Sequence, residues 1–464
     1  MRNTIEEEVL KRVLPSDEER RDVLAMGQRL IQTVGEVAGV PAMMTGSVAR
    51  GTWVRGDKDI DIFMLFPTEI SREELQEKGL AAAYGVVEKF QGTSEEKYAE
   101  HPYLKAIIEG YDVDLVPCYH VASTAEMKCA VDRTPFHTRY MLDHIGSLRE
   151  DVLLLKQFTK GGGVYGSDHM TGGFSGYLCE LLILAYGGFT QFIEAASKFR
   201  FGEVVDIEGY YPDKKSIRKI FPEPLIVIDP TDKNRNVAAA LTPTRFSEFM
   251  ELARDYCAAP HECYFIPDAP TTMSKQDFAA MLEKRGTAML ALSFKTPGYV
   301  PDTVVPQLRK TMESVKTQLE AEEFPVHRAE VSMGPDHCII IFELLAATLP
   351  KIIVREGPPV WVHENADKFV EKYLGQKDNA GPWIAGDRYF TEVERKYTNA
   401  ADLLKDSPKL FTASLGKHVR LSMEDGYDVL SGEEIWSIEF AGFLSAYFAR
   451  RSHAVRKLRT IQDI

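Results

Sequence analysis

Apolar positions recur at helical spacing over residues 23–37. Ser16, with Glu19 three positions later, precedes the run as a capping box, and Gly39 closes it. The period then changes. Short β-rich runs at 60–66 and 111–116 alternate with a helical stretch at 71–90, which predicts an α/β region from Pro41 to Cys118. Beyond Leu148 the apolar runs lengthen into helices at 150–160 and 174–189, with a glycine-rich loop at 161–166 between them. This mainly helical region extends to about Tyr264, after which Pro267 and Pro270 punctuate the chain. From Gly286 the order is strand (287–294), helix (303–322), strand (326–332), strand (337–345) and helix (364–373), as in a split β-α-β unit, whose sheet often presents a face to RNA. The expected architecture is multidomain α+β, divided into 1–148, 149–270, 271–375 and a tail, 376–464.

Length agrees with this division, since 464 residues correspond to about three domains of ~150. Hydrophobic residues at 44% and charged residues at 27% are those of a globular chain. The sequence has no apolar run of 18 residues, and its N-terminus, MRNTIEEEVLKR, is charged; both predict a cytoplasmic protein without membrane contact. The six cysteines are scattered and read as reduced thiols. Cys257, His261 and Cys263 lie close together but lack paired metal-ligand spacing, so they read as a local turn. A net charge of −14 argues against a broadly basic nucleic-acid binder, yet it permits a local basic stripe. Arg450, Arg451, Arg456, Lys457 and Arg459 form one candidate, which reads equally well as a solvated terminal helix.

Candidate chemistry begins at Thr45-Gly46-Ser47-Val48-Ala49-Arg50-Gly51, followed by Asp59-Ile60-Asp61-Ile62-Phe63-Met64-Leu65. On a strand, Asp59 and Asp61 project to one side and Ile60 and Ile62 to the other. Paired carboxylates in an apolar run repel and call for a cation, for which magnesium, a hard ion preferring oxygen, is suited. A second acidic strand, Tyr111-Asp112-Val113-Asp114-Leu115-Val116, supplies a third carboxylate, and three on adjacent strands suit two-metal nucleotidyl transfer. The Gly46-Ser47 turn offers backbone N–H groups and a hydroxyl to a triphosphate, with Arg50 one turn on. The loop Gly161 to Gly166 has P-loop spacing, but Ser167-Asp168 follows where Lys-Ser/Thr is required, so it reads as a connector.

A Gly-Ser turn followed by Asp-x-Asp on the next strand is the signature of the polymerase β-like nucleotidyltransferase superfamily. Within it, Gly46 to Trp53, Tyr98-Ala99-Glu100-His101-Pro102-Tyr103, Val113 to Tyr119, Ala130 to His137, Phe174-Ser175-Gly176-Tyr177-Leu178-Cys179-Glu180 and Asp229 to Ala239 closely resemble the archaeal (class I) CCA-adding enzymes. The resemblance is dense from Thr45 to Ala239 and thinner beyond. It implies a polymerase β-like head with a mixed sheet, a helical central domain, a ferredoxin-like or RRM-like body and a tail that contacts tRNA. It also implies Mg2+ as cofactor, tRNA as partner, ATP and CTP as substrates, and a homodimer. Its metal-binding catalytic carboxylates fall on Asp59, Asp61 and Asp114, and its nucleotide contacts on Ser47, Arg50, His137, Lys156 and Tyr165, with Arg235 near the base. Gly172 stands where the family commonly has arginine, which removes an expected basic contact. A poly(A) or oligoadenylate synthetase of the same superfamily, and an RNA-binding protein without catalysis, are the alternatives.

Overall fold

The first sheet is made by β1 (Ala42–Thr45), β2 (Asp59–Phe66), β3 (Thr93–Tyr98), β4 (Pro102–Ile108) and β5 (Tyr111–Tyr119), in the order β1-β2-β5-β4-β3. Only β2 and β5 run parallel. A parallel pair needs a crossover, which here includes helix Arg72–Lys89. Ile60, Ile62, Val113 and Leu115 turn into a core with Leu30, Val34 and Val86 beneath helices Asp17–Ala38 and Arg72–Lys89. The aspartates of both strands therefore face the other way. Ser16 caps its helix by accepting from the Glu19 N–H at 3.1 Å, and Gly39 ends it at φ +64°. The expected capping box is not reciprocal, because the Glu19 carboxylate accepts from the Gly56 N–H at 2.9 Å and ties the helix to the loop before β2.

The computed structural model describes residues 2–57, 59–98, 101–269, 271–376, 380–450, 452, 454, 455 and 457. It divides into two compact units, Met1–Ala269 with Arg451–Ile464, and Pro270–Arg450. The helical region beyond residue 148 thus clusters with the first sheet. Its helices Arg149–Gly161, Gly176–Tyr186, Phe189–Ala196 and Pro243–Ala258 surround the buried Phe158. That ring meets Phe189, Phe249, Tyr256, Tyr264 and Phe265 at centroid distances between 5.5 and 6.3 Å. The apolar run expected as one helix over 174–189 is two, broken at Gly187 and Gly188, whose φ angles are +78° and +146°. Among the described residues no single helix is long and apolar enough to cross a membrane. The region also holds a three-stranded sheet, Glu203–Val205, Leu225–Asp229 and Asp232–Asn236, that periodicity did not predict. Leu225 to Asp229 is buried at every position, so it lacks the alternation that marks a half-exposed strand.

In the second unit an antiparallel sheet has the order Val326–Met333, His337–Leu344, Ala288–Lys295, Tyr427–Ser431. Three strands are those expected; the fourth comes from the stretch read as a tail. The helix paired with Pro301–Ala321 is Lys417–Asp425, since Val419 and Met423 share a core with Val304, Leu308 and Val315. Helix His363–Tyr373, expected in that place, belongs instead to a small sheet of Ile352–Pro359, Arg388–Glu394 and Trp383–Ala385. Nor does the large sheet keep a free face for RNA. Met289, Ala291, Ile339 and Ile341 on its other side are buried against Phe278, Ile435, Phe440 and Leu444.

Part of the C-terminal stretch returns to the first unit. Ala454 enters the core around Phe158, and the Lys457 ammonium bonds Asp268 Oδ1 at 2.7 Å and the Ile266 carbonyl. Lys457 is therefore not a free phosphate contact, while Arg451, Arg456 and Arg459, and Ala99 and Glu100 of the hairpin motif, lie outside the described residues. Replacing Phe158 with alanine opens a cavity at the centre of five rings. We expect a loss of about 3–5 kcal/mol in urea denaturation followed by circular dichroism.

Candidate active site

The in-register pairing of β2 with β5 sets Asp59 opposite Asp112 and Asp61 opposite Asp114, while Thr45 of β1 lies opposite Asp61 on its other side. Asp59, Asp61 and Asp114 therefore share one face of the sheet, as expected, and Lys105 of β4 lies opposite Asp114. Among the described residues none of the three carboxylates has a hydrogen bond or ion pair; the Lys105 ammonium lies 3.6 Å from Asp112 Oδ1. Burial pushes the Asp61 carboxyl up to about 7, the Asp114 charge adding to the rise and Arg50 opposing it. Burial likewise raises Asp114 to about 6 against the pull of Lys105, and it raises Asp59. Among the described residues no three ligating side chains close into a ready cage. What the site offers a metal is hard oxygen donors on one face, with no hydrogen-bond or ion-pair partner among the described residues.

Gly46 explains why the turn before β2 must be glycine. It has a φ of +68°, and a Cβ there would fall 1.7 Å from Asp61 Oδ2. The carboxylate thus lies directly over the turn. Ser47 follows in the short helix Gly46–Arg50, half-buried, its carbonyl accepting from the Thr52 N–H at 2.9 Å.

Arg50 and Lys156 meet at a residue that the motif reading quoted without assigning a role. Glu180, fully buried on helix Gly176–Tyr186, has Oε2 2.8 Å from Arg50 Nε and Oε1 3.8 Å from Lys156 Nζ. Thr52 donates its hydroxyl to Glu180 Oε1, and its carbonyl accepts from Lys156 Nζ at 2.8 Å. Burial lowers the Lys156 pKa while Glu180 opposes the shift. Tyr165 completes the group. A Cβ at Gly176 would lie 3.2 Å from the Tyr165 hydroxyl and 3.4 Å from Lys156 Nζ, so both side chains cross the first turn of this helix, which Ser175 caps. Lys160 lies 5.4 Å from the Tyr165 ring and pairs with Asp57 at 2.7 Å.

His137 and Arg235 meet at a second buried acid. Asp229 Oδ2 accepts from His137 Nε2 at 2.7 Å and from Arg235 Nη1 at 2.9 Å, while Oδ1 accepts from the Thr231 N–H and hydroxyl. Burial works against the charged form, yet the bonds from His137 and Thr231 hold the Asp229 carboxyl well below its usual range. Burial lowers the His137 pKa against the pull of Asp229, to which Nε2 donates. Tyr177 stacks on that ring at 4.1 Å. Glu180 and Asp229 were not distinguishable from structural acids by sequence; their one signal is a charged residue inside an apolar run.

Two smaller expectations also resolve. His261 accepts from the Cys263 N–H at 3.2 Å and so caps a turn, while Cys257 is exposed and Cys263 buried. Gly172 takes a φ of +59°, and Arg245 from another helix reaches the adjoining Thr171 carbonyl at 3.1 Å. A guanidinium therefore occupies this neighbourhood although the local arginine is missing.

Three family profiles match the chain: a nucleotidyltransferase domain over residues 30–137, a tRNA nucleotidyltransferase second domain over 150–266, and a CCA-adding enzyme C-terminal domain over 285–432. The CCA-adding enzyme of Methanoregula boonei is 48% identical, covering 97% of this chain and 96% of that protein. Those of Methanosarcina mazei and Haloarcula marismortui are 40% and 39% identical, over 94% and 95% of this chain and 95% and 97% of theirs. Among solved structures, a cytoplasmic RNA terminal U-transferase aligns at 14% identity with a TM-score of 0.46, over 57% of this chain and 97% of that one.

Asp61 binds its proton more tightly folded than unfolded, so its ionisation costs stability progressively from about pH 4 to about pH 7. Asp61→Asn should therefore stabilise the metal-free protein at pH 7.5 by roughly 1–3 kcal/mol and flatten its stability between those pH values. Denaturant titrations across pH check this; equal slopes for both proteins would contradict it. Gly46→Ala should leave the fold intact but displace Asp61, with turnover reduced at least about 100-fold in a steady-state assay.

Proposed function

The chain belongs to the family of archaeal CCA-adding enzymes, tRNA nucleotidyltransferases, and we propose that Asp59, Asp61 and Asp114 are the catalytic carboxylates with which it extends tRNA 3′ ends by C, C and A. The observation that carries this assignment is the register of Asp61 with Asp114, beside a Gly46-Ser47 turn that packs against the same carboxylate. Enzymes of the nucleotidyltransferase superfamily generally use a divalent metal, and the carboxylates suit Mg2+. It would neutralise charge on the nucleotide triphosphate and on the departing pyrophosphate.

The protein's own groups divide the remaining work. The turn at Gly46-Ser47 presents N–H groups and a hydroxyl to the phosphates, with Arg50 and Lys156 supplying charge. The Tyr165 hydroxyl lies at the same helix start as Lys156. Arg235 keeps one nitrogen on Asp229 and has others to offer a base, a donor set that C and A can both accept. The 3′-hydroxyl oxygen of tRNA bonds to the α-phosphorus as the bond to the β-phosphate bridge breaks, with no nucleic-acid template. With both faces of its large sheet covered, the second unit would hold the acceptor arm through edges and loops, by shape and backbone. Exposed Trp361, Leu374 and Ile384 give that unit an apolar surface compatible with a homodimer.

The test uses purified protein, Mg2+, labelled CTP or ATP, and tRNAs ending one, two or three nucleotides short. We expect ordered addition up to CCA, abolished in Asp61→Ala and Asp114→Ala. Open-ended A addition would transfer the protein to the poly(A) class, and RNA binding without incorporation would exclude the enzyme reading.

A further inference from the structure

We propose that Glu180 is a positioning residue, which aligns Arg50 and Lys156 for the triphosphate beside the Gly46-Ser47 turn. The proposal rests on the nucleotide-binding roles given above to Arg50 and Lys156. Three observations support it. First, three charges share one buried site: Glu180 is fully buried, and the side chains of Arg50 and Lys156 are 8% and 3% exposed. Within this trio two cations face one carboxylate where desolvation penalises charge, a local imbalance that an arriving anion would offset.

Second, Glu180 engages only part of each cation. It lies against Arg50 Nε, and Thr138 accepts from Arg50 Nη1 at 3.4 Å, which leaves Nη2 without a partner among the described residues. Lys156 gives one proton to the Thr52 carbonyl and lies beside Glu180 Oε1, with a third donor remaining. Third, the carboxylate is itself fixed. The Thr52 hydroxyl bonds Oε1, and Thr52 follows the very turn that packs on Asp61, so phosphate-facing cations and metal-facing carboxylate share one backbone segment. Without Glu180 the guanidinium and ammonium would repel across an unneutralised pocket. The guanidinium would swing away, or the Lys156 ammonium would move or lose its proton.

The test compares wild type with Glu180→Gln, which preserves shape and removes the charge, and with Thr52→Val, which removes only the hydroxyl that orients the carboxylate. Equilibrium binding of ATP and CTP to the full chain is measured apart from turnover, and KM and kcat are followed from pH 7 to pH 9. We expect Glu180→Gln to raise Kd and KM for both nucleotides about tenfold or more, with a smaller change in kcat. The KM defect should deepen as pH rises, because Lys156 has lost the group that holds its proton. Thr52→Val should give a few-fold rise with the same pH trend, and it carries the test if Glu180→Gln does not fold. Unchanged or tighter binding, or a defect constant with pH, overturns the proposal. Failure of wild type to bind ATP or CTP would instead overturn the nucleotide-binding assignment itself.

Discussion

Carboxylates held side by side on half-buried strands repel each other, and in this protein the strand pairing permits no escape. Because β2 and β5 run parallel and in register, Asp61 cannot move away from Asp114 without unpairing the middle of the sheet. The crossover helix and the core under Ile60, Ile62, Val113 and Leu115 exist to maintain that register. Repulsion is thus stored at the site by hydrophobic burial on the opposite face. A cation held by these carboxylates would relieve it, and would be held by paired strands rather than by a loop.

Buried acids recur as organising points elsewhere. Glu180 joins the turn after β1 to two helices of the neighbouring region, and Asp229 joins Arg235 to His137, which lies 92 residues before Asp229 in sequence. In the second unit, buried Glu343 accepts from Arg285 at 2.5 Å, Thr287 at 2.7 Å and the Tyr447 hydroxyl at 2.9 Å. Each acid would be costly unpaired, so each specifies one arrangement of elements that hydrophobic contacts alone would leave degenerate.

Features governed by local chemistry were legible in the sequence. Ser16, Gly39 and the alternation of Asp59 to Ile62 depend on neighbours a few residues away; the cap, the helix end and the alternation are found as read, and only the reciprocal half of the capping box is missing, because Glu19 turns to Gly56. The strand Leu225–Asp229 was not, because burial on both faces erases its period. The helix of the split β-α-β unit was misplaced for a different reason. Amphipathic spacing identifies a helix but not its partner, and a small sheet had been inserted between the third strand and the helix that covers it. At the site, the three aspartates, Ser47 and the cations could be named in advance. Glu180 and Asp229 could not, since what distinguishes them is the pair of side chains that each receives from other elements of the fold.

The return of Ala454 and Lys457 to the first unit has a consequence for synthesis. A ribosome delivers residues 1–269 first, then all of the second unit, and only afterwards the residues that bury Ala454 in the first unit's core and pair Lys457 with Asp268. The unit carrying the aspartates therefore begins folding first and is completed last. Until residues 454 and 457 emerge, the apolar seat of Ala454 stays open, so part of the first unit's core is uncovered while the second unit is being made.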